Sequence, residues 1–108
     1  MAWDWEDSEP QAEPERAILV GIEPLVGAGR RSMRELMLLA QTAGVAPVGL
    51  VVQQRRRPDP AYFIGRGKVE YLRAEVLRHG ADLVLFDAEL TPTQHRNLVD
   101  ALECKVLD

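Results

Sequence analysis

Arg16-Ala17-Ile18-Leu19-Val20-Gly21-Ile22 is the stretch on which the fold turns. From Ala17 to Ile22 it is apolar without a break and rich in β-branched side chains, the pattern of a strand that must meet a hydrophobic layer on both faces. A strand of a sheet covered on one side would alternate. Working outward, three further runs share its character: Val45 to Gln54, with Val-Gly-Leu-Val-Val at its centre, Asp82 to Phe86, and Lys105 to Leu107.

Helical signals fill the gaps between these runs. Ser32 with Glu35 forms a capping box that opens a helix running to about Ala43 and stopping at Gly44, with Met33, Leu36, Met37, Ala40 and Ala43 as its apolar stripe. Val69, Leu72 and Val76 give a second stripe, closed by His79-Gly80, where an imidazole suits the helix dipole better than it suits catalysis. Thr91-Pro92-Thr93-Gln94 is another capping box with proline at the first helical position, and His95, Leu98, Val99 and Leu102 share the face behind it. His95 is accordingly read as a partly buried packing residue. Strand and helix alternate as βαβαβαβ, which is an α/β fold with a four-stranded parallel sheet. Strand order 2-1-3-4 is expected, because reversing direction across the first strand lets the first helix cover one face and the later two the other.

The 108 residues suit one small domain, and the charge is unevenly placed along them. Six of the seventeen acids (Asp4, Glu6, Asp7, Glu9, Glu13, Glu15) lie in residues 1–15, which hold no Lys or Arg, so residues 16–108 carry eleven acids against thirteen bases, a net +2. The formal −4 therefore belongs to the leader. Acidic, with Pro10 and Pro14, residues 1–15 are expected to form a disordered tail, with Trp3 and Trp5 the two residues in it that could dock on a surface. Cys104 is the only cysteine, excluding an internal disulfide, and it reads as a small buried hydrophobe. No run approaches the length of a membrane span and the acidic start is unlike a signal peptide, so a soluble cytoplasmic protein is expected, with no membrane partner.

Most catalytic readings fail on spacing. Gly27-Ala28-Gly29 lacks the third glycine of a dinucleotide loop and leaves its strand through Glu23-Pro24 instead of a tight turn. Asp87 ends a third parallel strand, as a phosphate-accepting aspartate would, but Glu23 alone cannot supply the acidic pair that holds magnesium there. Ile64-Gly65-Arg66-Gly67-Lys68 misses the phosphate-loop spacing, and Val69 stands where the magnesium-binding hydroxyl belongs. No metal-ligand spacing and no nucleophile with a base partner is present. No catalytic residue is assigned.

What remains is Gln53 to Lys68, which follows the second strand and holds five of the thirteen bases, Arg55, Arg56, Arg57, Arg66 and Lys68, against one acid, Asp59. Pro58 and Pro60 forbid a regular helix, so Arg57 to Pro60 is expected to project as a stiff arm. Gly65 and Gly67 precede the next helix, where unpaired backbone N–H groups favour an anion. Cations at that end oppose the helix dipole but suit phosphate. With Tyr62 and Phe63 alongside, the segment combines charge for phosphates with flat rings for bases. Its plain structural alternative is a solvated loop with both rings folded onto the core.

The segments Arg55 to Glu70, Gly80 to Asp87 and Leu90 to Leu98 together resemble the N-terminal domain of the HflX family of ribosome-associated GTPases, over roughly residues 16–108. The resemblance implies a module that docks on the large ribosomal subunit and its rRNA. The loop at Arg55 to Lys68 would then reach toward the peptidyl transferase centre, and the whole protein would split stalled or idle ribosomes. It implies that GTP and Mg²⁺ belong to a GTPase domain missing from this chain, which itself carries no cofactor and would not hydrolyse GTP, and it suggests a contact with that domain. The alternative is a regulatory domain that binds ATP or GTP at the strand carboxyl ends and the Gly65 and Gly67 amides, without hydrolysis.

Overall fold

The computed structural model describes residues 13–23, 33–54 and 57–108. Its strands are β1 (Glu15–Glu23), β2 (Val45–Gln54), β3 (Leu83–Phe86) and β4 (Lys105–Leu107), and its helices are α1 (Met33–Thr42), α2 (Arg66–His79) and α3 (Pro92–Leu102). The sheet is parallel throughout with order β2-β1-β3-β4, as the reversal of direction across β1 requires. β1 opens at Glu15, one residue inside the stretch assigned to the acidic leader, and the Glu15 carboxylate accepts from Lys105 Nζ at 2.7 Å across the sheet.

The unbroken apolar run of β1 is divided between two cores. Ile18 and Val20 point into the larger one with Val69, Leu72 and Val76 of α2 and Leu98 and Leu102 of α3. Ala17 and Leu19 point the other way, toward Leu36 and Ala40 of α1 and toward Leu83 and Leu85. Both faces of the central strands are thereby taken out of water, each large aliphatic side chain contributing about 1.5–3 kcal/mol on burial.

The α1 stripe is rotated from the one expected. Leu36, Ala40 and half-buried Leu39 meet the sheet, whereas Met37 and Ala43 are exposed. A single helix on this side needs only a narrow apolar face, and Gly44, with φ 73°, ends it as read. Ser32, the other half of that capping box, lies outside the described residues.

β2 is an edge strand, which accommodates Pro47. Its register against β1 steps from Ala17↔Pro47 to Ile18↔Gly49, leaving Val48 as the extra residue of a bulge. At the other end of the motif, Gly80 adopts φ 59° and closes α2 with Gly80 N–H to Leu77 O at 3.3 Å and Ala81 N–H to Val76 O at 2.9 Å. α3 begins as its sequence dictates: Thr91 Oγ1 accepts from Gln94 N, Gln94 Oε1 accepts from Thr91 N, and Pro92 sits in the first turn.

Candidate nucleic-acid interface

Between Gln54 and Arg66 the chain builds a small closed loop and then a helix start. Asp59 and Phe63 exchange backbone hydrogen bonds, Asp59 N to Phe63 O at 3.0 Å and Phe63 N to Asp59 O at 2.8 Å. The Asp59 carboxylate turns inward, Oδ1 accepting from Ala61 N at 2.7 Å and Tyr62 N at 2.9 Å. Aspartate is suited to this because its short side chain reaches the backbone two and three residues on. Phe63 pays for the closure with φ 68°, a left-handed conformation an aromatic residue holds only when its surroundings over-determine it.

The loop is fastened to the body from two directions. Ile64 is fully buried in the larger core, and Tyr62 and Phe63, half-buried, pack against that core. From α3, Gln94 Nε2 donates to Asp59 O at 2.8 Å and Asn97 Nδ2 donates to Ala61 O at 3.0 Å. The expected projection from Arg57 to Pro60 is therefore shorter than the prolines alone suggested. Arg57 and Pro58 are exposed, but at Asp59 the chain is drawn back onto α3, because the Asp59 carbonyl and the Ile64 side chain both find their partners in the body. Arg55 and Arg56 lie outside the described residues.

Gly65 is the N-cap of α2 and has no side chain to satisfy the helix start; the first helical bond runs from Val69 N to Gly65 O at 3.0 Å. Arg66, Gly67 and Lys68 thus occupy the first turn, so Gly67 lies inside the helix instead of before it. Their N–H groups have no partner within the helix, and the first turn carries no acidic residue. A Cβ built at Gly65 or Gly67 would meet nothing within 4 Å, so neither glycine is demanded by packing.

The charges at this end are not neutralised by the loop's own acid, whose carboxylate is spent on Ala61 and Tyr62. Arg57 and Arg66 are exposed, and among the described residues neither pairs with a carboxylate. Lys68 Nζ lies 3.4 Å from Val52 O and 5.5 Å from the Tyr71 ring centroid, an ammonium over a π face. Elsewhere Arg73 pairs with Glu103 at 2.7 Å, Arg78 with Glu75 at 2.8 Å, and Arg16 donates to the carbonyl of His79 at 2.9 Å. Arg34 and Arg96, also exposed, resemble the arm residues in making no such pair among the described residues.

The other candidates have structural duties. His79 lies 3.4 Å from the Glu75 carboxylate in the last turn of α2. His95 is exposed, not partly buried in packing as its helical face suggested; its Nε2 is 2.7 Å from Val106 O, where the imidazole satisfies a β4 carbonyl. Cys104 is half-buried, and burial pushes its thiol above the ordinary cysteine value. Asp87 is tied in through its own N–H to Val20 O at 2.9 Å. No group of three metal-ligating side chains occurs among the described residues, and no helix there is long and apolar enough to cross a membrane. Sequence reasoning had assigned Gln94 only its capping role and Asn97 none. The one available signal was their i, i+3 spacing on a helix that starts where the loop returns.

Comparison with known proteins places this geometry in a family. Residues 30–108 match the family model described as GTP-binding GTPase N-terminal. The chain is 42% identical over 96 residues to the GTPase HflX of Caldanaerobacter subterraneus subsp. tengcongensis, covering 89% of this chain and 22% of that protein. It is 37% identical over 94 residues to the GTPase HflX of Escherichia coli (87% and 22%) and 37% identical over 97 residues to that of Flavobacterium psychrophilum (87% and 24%). The chain thus spans less than a quarter of the length of these relatives. A crystal structure of a variant of SsGBP shares the fold, with a TM-score of 0.64 at 16% identity over 87% of this chain and 28% of that one.

Proposed function

This chain belongs to the HflX family of GTPases, matching its N-terminal domain, and on that premise we propose that it is a binding module for the rRNA of the large ribosomal subunit. In this reading Arg55, Arg56, Arg57, Arg66 and Lys68 pair with phosphates, and the Gly65 and Gly67 end of α2 leaves backbone N–H groups open to a further phosphate. Tyr62 or Phe63, each packed on one side against the core, offers only the remaining exposed part of its ring to a base. The loop reaches toward the peptidyl transferase centre. GTP hydrolysis and its Mg²⁺ belong to a separate domain that contacts this one in the whole protein, whose setting is the cytoplasm and whose task is ribosome splitting.

The observation that carries the reading is that Arg57 and Arg66, exposed on either side of a loop whose acid is turned inward, have no carboxylate partner among the described residues. Cosedimentation with purified large subunits at two salt concentrations tests it. Native protein is expected to pellet with the subunits and to be released steeply as salt rises, since each phosphate contact sets counterions free. Changing Arg55, Arg56 and Arg57 together to glutamate is expected to abolish pelleting with the circular dichroism spectrum unchanged. Native-strength binding by that variant would refute the loop's role.

The acid-free first turn of α2 also supports a second reading, a nucleotide-binding regulatory domain. Calorimetry with ATP and GTP separates the two: micromolar binding that disappears in Gly67→Val favours the nucleotide, and no heat with either favours RNA.

A further inference from the structure

The geometry points to Gln94 and Asn97 as positioning residues: we propose that they hold the loop after β2 in one orientation, so that Arg57 and Arg66 on either side of it are presented to the polyanion already ordered. This rests on the RNA-binding reading above and names what makes that site competent.

Three observations converge on it. The two amides reach across 35 and 36 residues to consecutive stretches of one loop, Gln94 to the carbonyl of Asp59 and Asn97 to that of Ala61. The carbonyls they hold belong to Asp59, whose carboxylate closes the turn, and to Ala61, whose N–H donates to that carboxylate. And Gln94 is the one polar residue among those buried in the described chain, at 6% exposure, with both ends of its amide used: Oε1 on the Thr91 N–H and Nε2 on the loop. A capping glutamine needs only the first of those bonds. The second serves the loop.

The physical consequence lies in the order in which entropy is lost. A loop fixed beforehand gives up little freedom on binding, whereas a loose one must be ordered at that step and binds more weakly although its charges are unchanged. The staples therefore act on affinity without entering the count of phosphates neutralised.

The test uses uncharged substitutions in the full chain. Asn97→Ala removes one staple and leaves the cap intact; Gln94→Met removes the other along with its bond to the Thr91 N–H; Thr91→Ala removes the Oγ1 half of the capping box and leaves both bonds of the Gln94 amide in place. Two readouts are taken, hydrogen exchange at the Asp59, Ala61, Tyr62 and Phe63 amides and affinity for large subunits over a salt series. Asn97→Ala and Gln94→Met combined are expected to speed exchange at those amides and to weaken binding about tenfold at every salt concentration, with the slope of log affinity against log salt unchanged. Thr91→Ala is expected to leave binding within about twofold of native, on the same reasoning that it alters no loop contact. Unchanged exchange and unchanged affinity in the double variant would overturn the proposal, and so would an equal loss of affinity in Thr91→Ala. Should the native chain fail to bind subunits while the double variant still loosens the loop, the RNA-binding reading fails and the staple role stands, because exchange is read without any ribosome.

Discussion

Ile18 Cδ1 fills the space a side chain on Gly49 would need: a Cβ built on Gly49 stands 2.8 Å from it, with the His79 ring at 3.5 Å behind. Ile18 is fully buried at the centre of the sheet, so it cannot swing aside as a surface side chain would. Gly49→Ala is therefore expected to destabilise the fold by about 1–3 kcal/mol through overpacking, despite the small gain from stiffening the unfolded chain. Urea unfolding would show a lower midpoint with the same m-value; a midpoint at or above native would mean that the bulge at Val48 absorbs the methyl group.

That contact also marks where the sequence stopped being informative. Continuous apolarity in β1 and β3 was enough to announce a sheet covered on both sides, and Thr91-Pro92-Gln94 announced its helix from local chemistry alone. Strand order followed from the need to place α1 opposite α2 and α3. The bulge in β2 was not legible, since Pro47 and Gly49 each have other uses in a strand and their joint meaning appears only against Ile18. Nor were the Gln94 and Asn97 bonds to the loop, which join residues some 35 positions apart through backbone carbonyls that carry no signature of identity. The arm was visible as charge and proline. Its fastening was not, so its reach was overestimated.

Two helix ends in the left-handed conformation predict opposite responses. Gly80 takes φ 59° at no steric cost, so Gly80→Ala is expected to lose about 1 kcal/mol. Glu103 takes φ 53° with a Cβ, so Glu103→Gly relieves a strain of about 1 kcal/mol and forfeits an exposed pair with Arg73, a contact of about 0–1 kcal/mol. A midpoint for Glu103→Gly equal to or slightly above native is expected, and a loss as large as that of Gly80→Ala would show that the ion pair governs this end.

The arginines flanking the loop are expected to act separately from those in ion pairs. Arg57→Ala and Arg66→Ala are each expected to weaken subunit binding and to lower the magnitude of the salt slope by about one, with little effect on unfolding. Arg73→Ala is expected to do the reverse, since its guanidinium joins α2 to the end of α3 through Leu102 O at 2.7 Å and Glu103. If Arg73→Ala weakened binding as much as Arg57→Ala, diffuse positive charge would explain attachment better than the loop does.

Glu75 offers a titration with a defined sign. Hydrogen bonds from Arg78 and then Tyr71 hold its carboxyl below the ordinary glutamate range, with the nearby His79 acting in the same direction. A group depressed in the folded state contributes stability above its unfolded value and loses that contribution as pH falls through the folded one. The network therefore weakens on the acid side, and protonating Glu75 leaves Arg78 without its partner. Following the Glu75 carboxyl by NMR, Arg78→Ala is expected to raise its midpoint toward the ordinary value and Tyr71→Phe to raise it less. Because Glu75 in return pushes the Tyr71 hydroxyl up, through the hydrogen bond first and its charge second, Glu75→Gln is expected to lower the Tyr71 midpoint measured by ultraviolet absorbance. An unmoved tyrosine would show that the bond at 2.9 Å is not populated in solution.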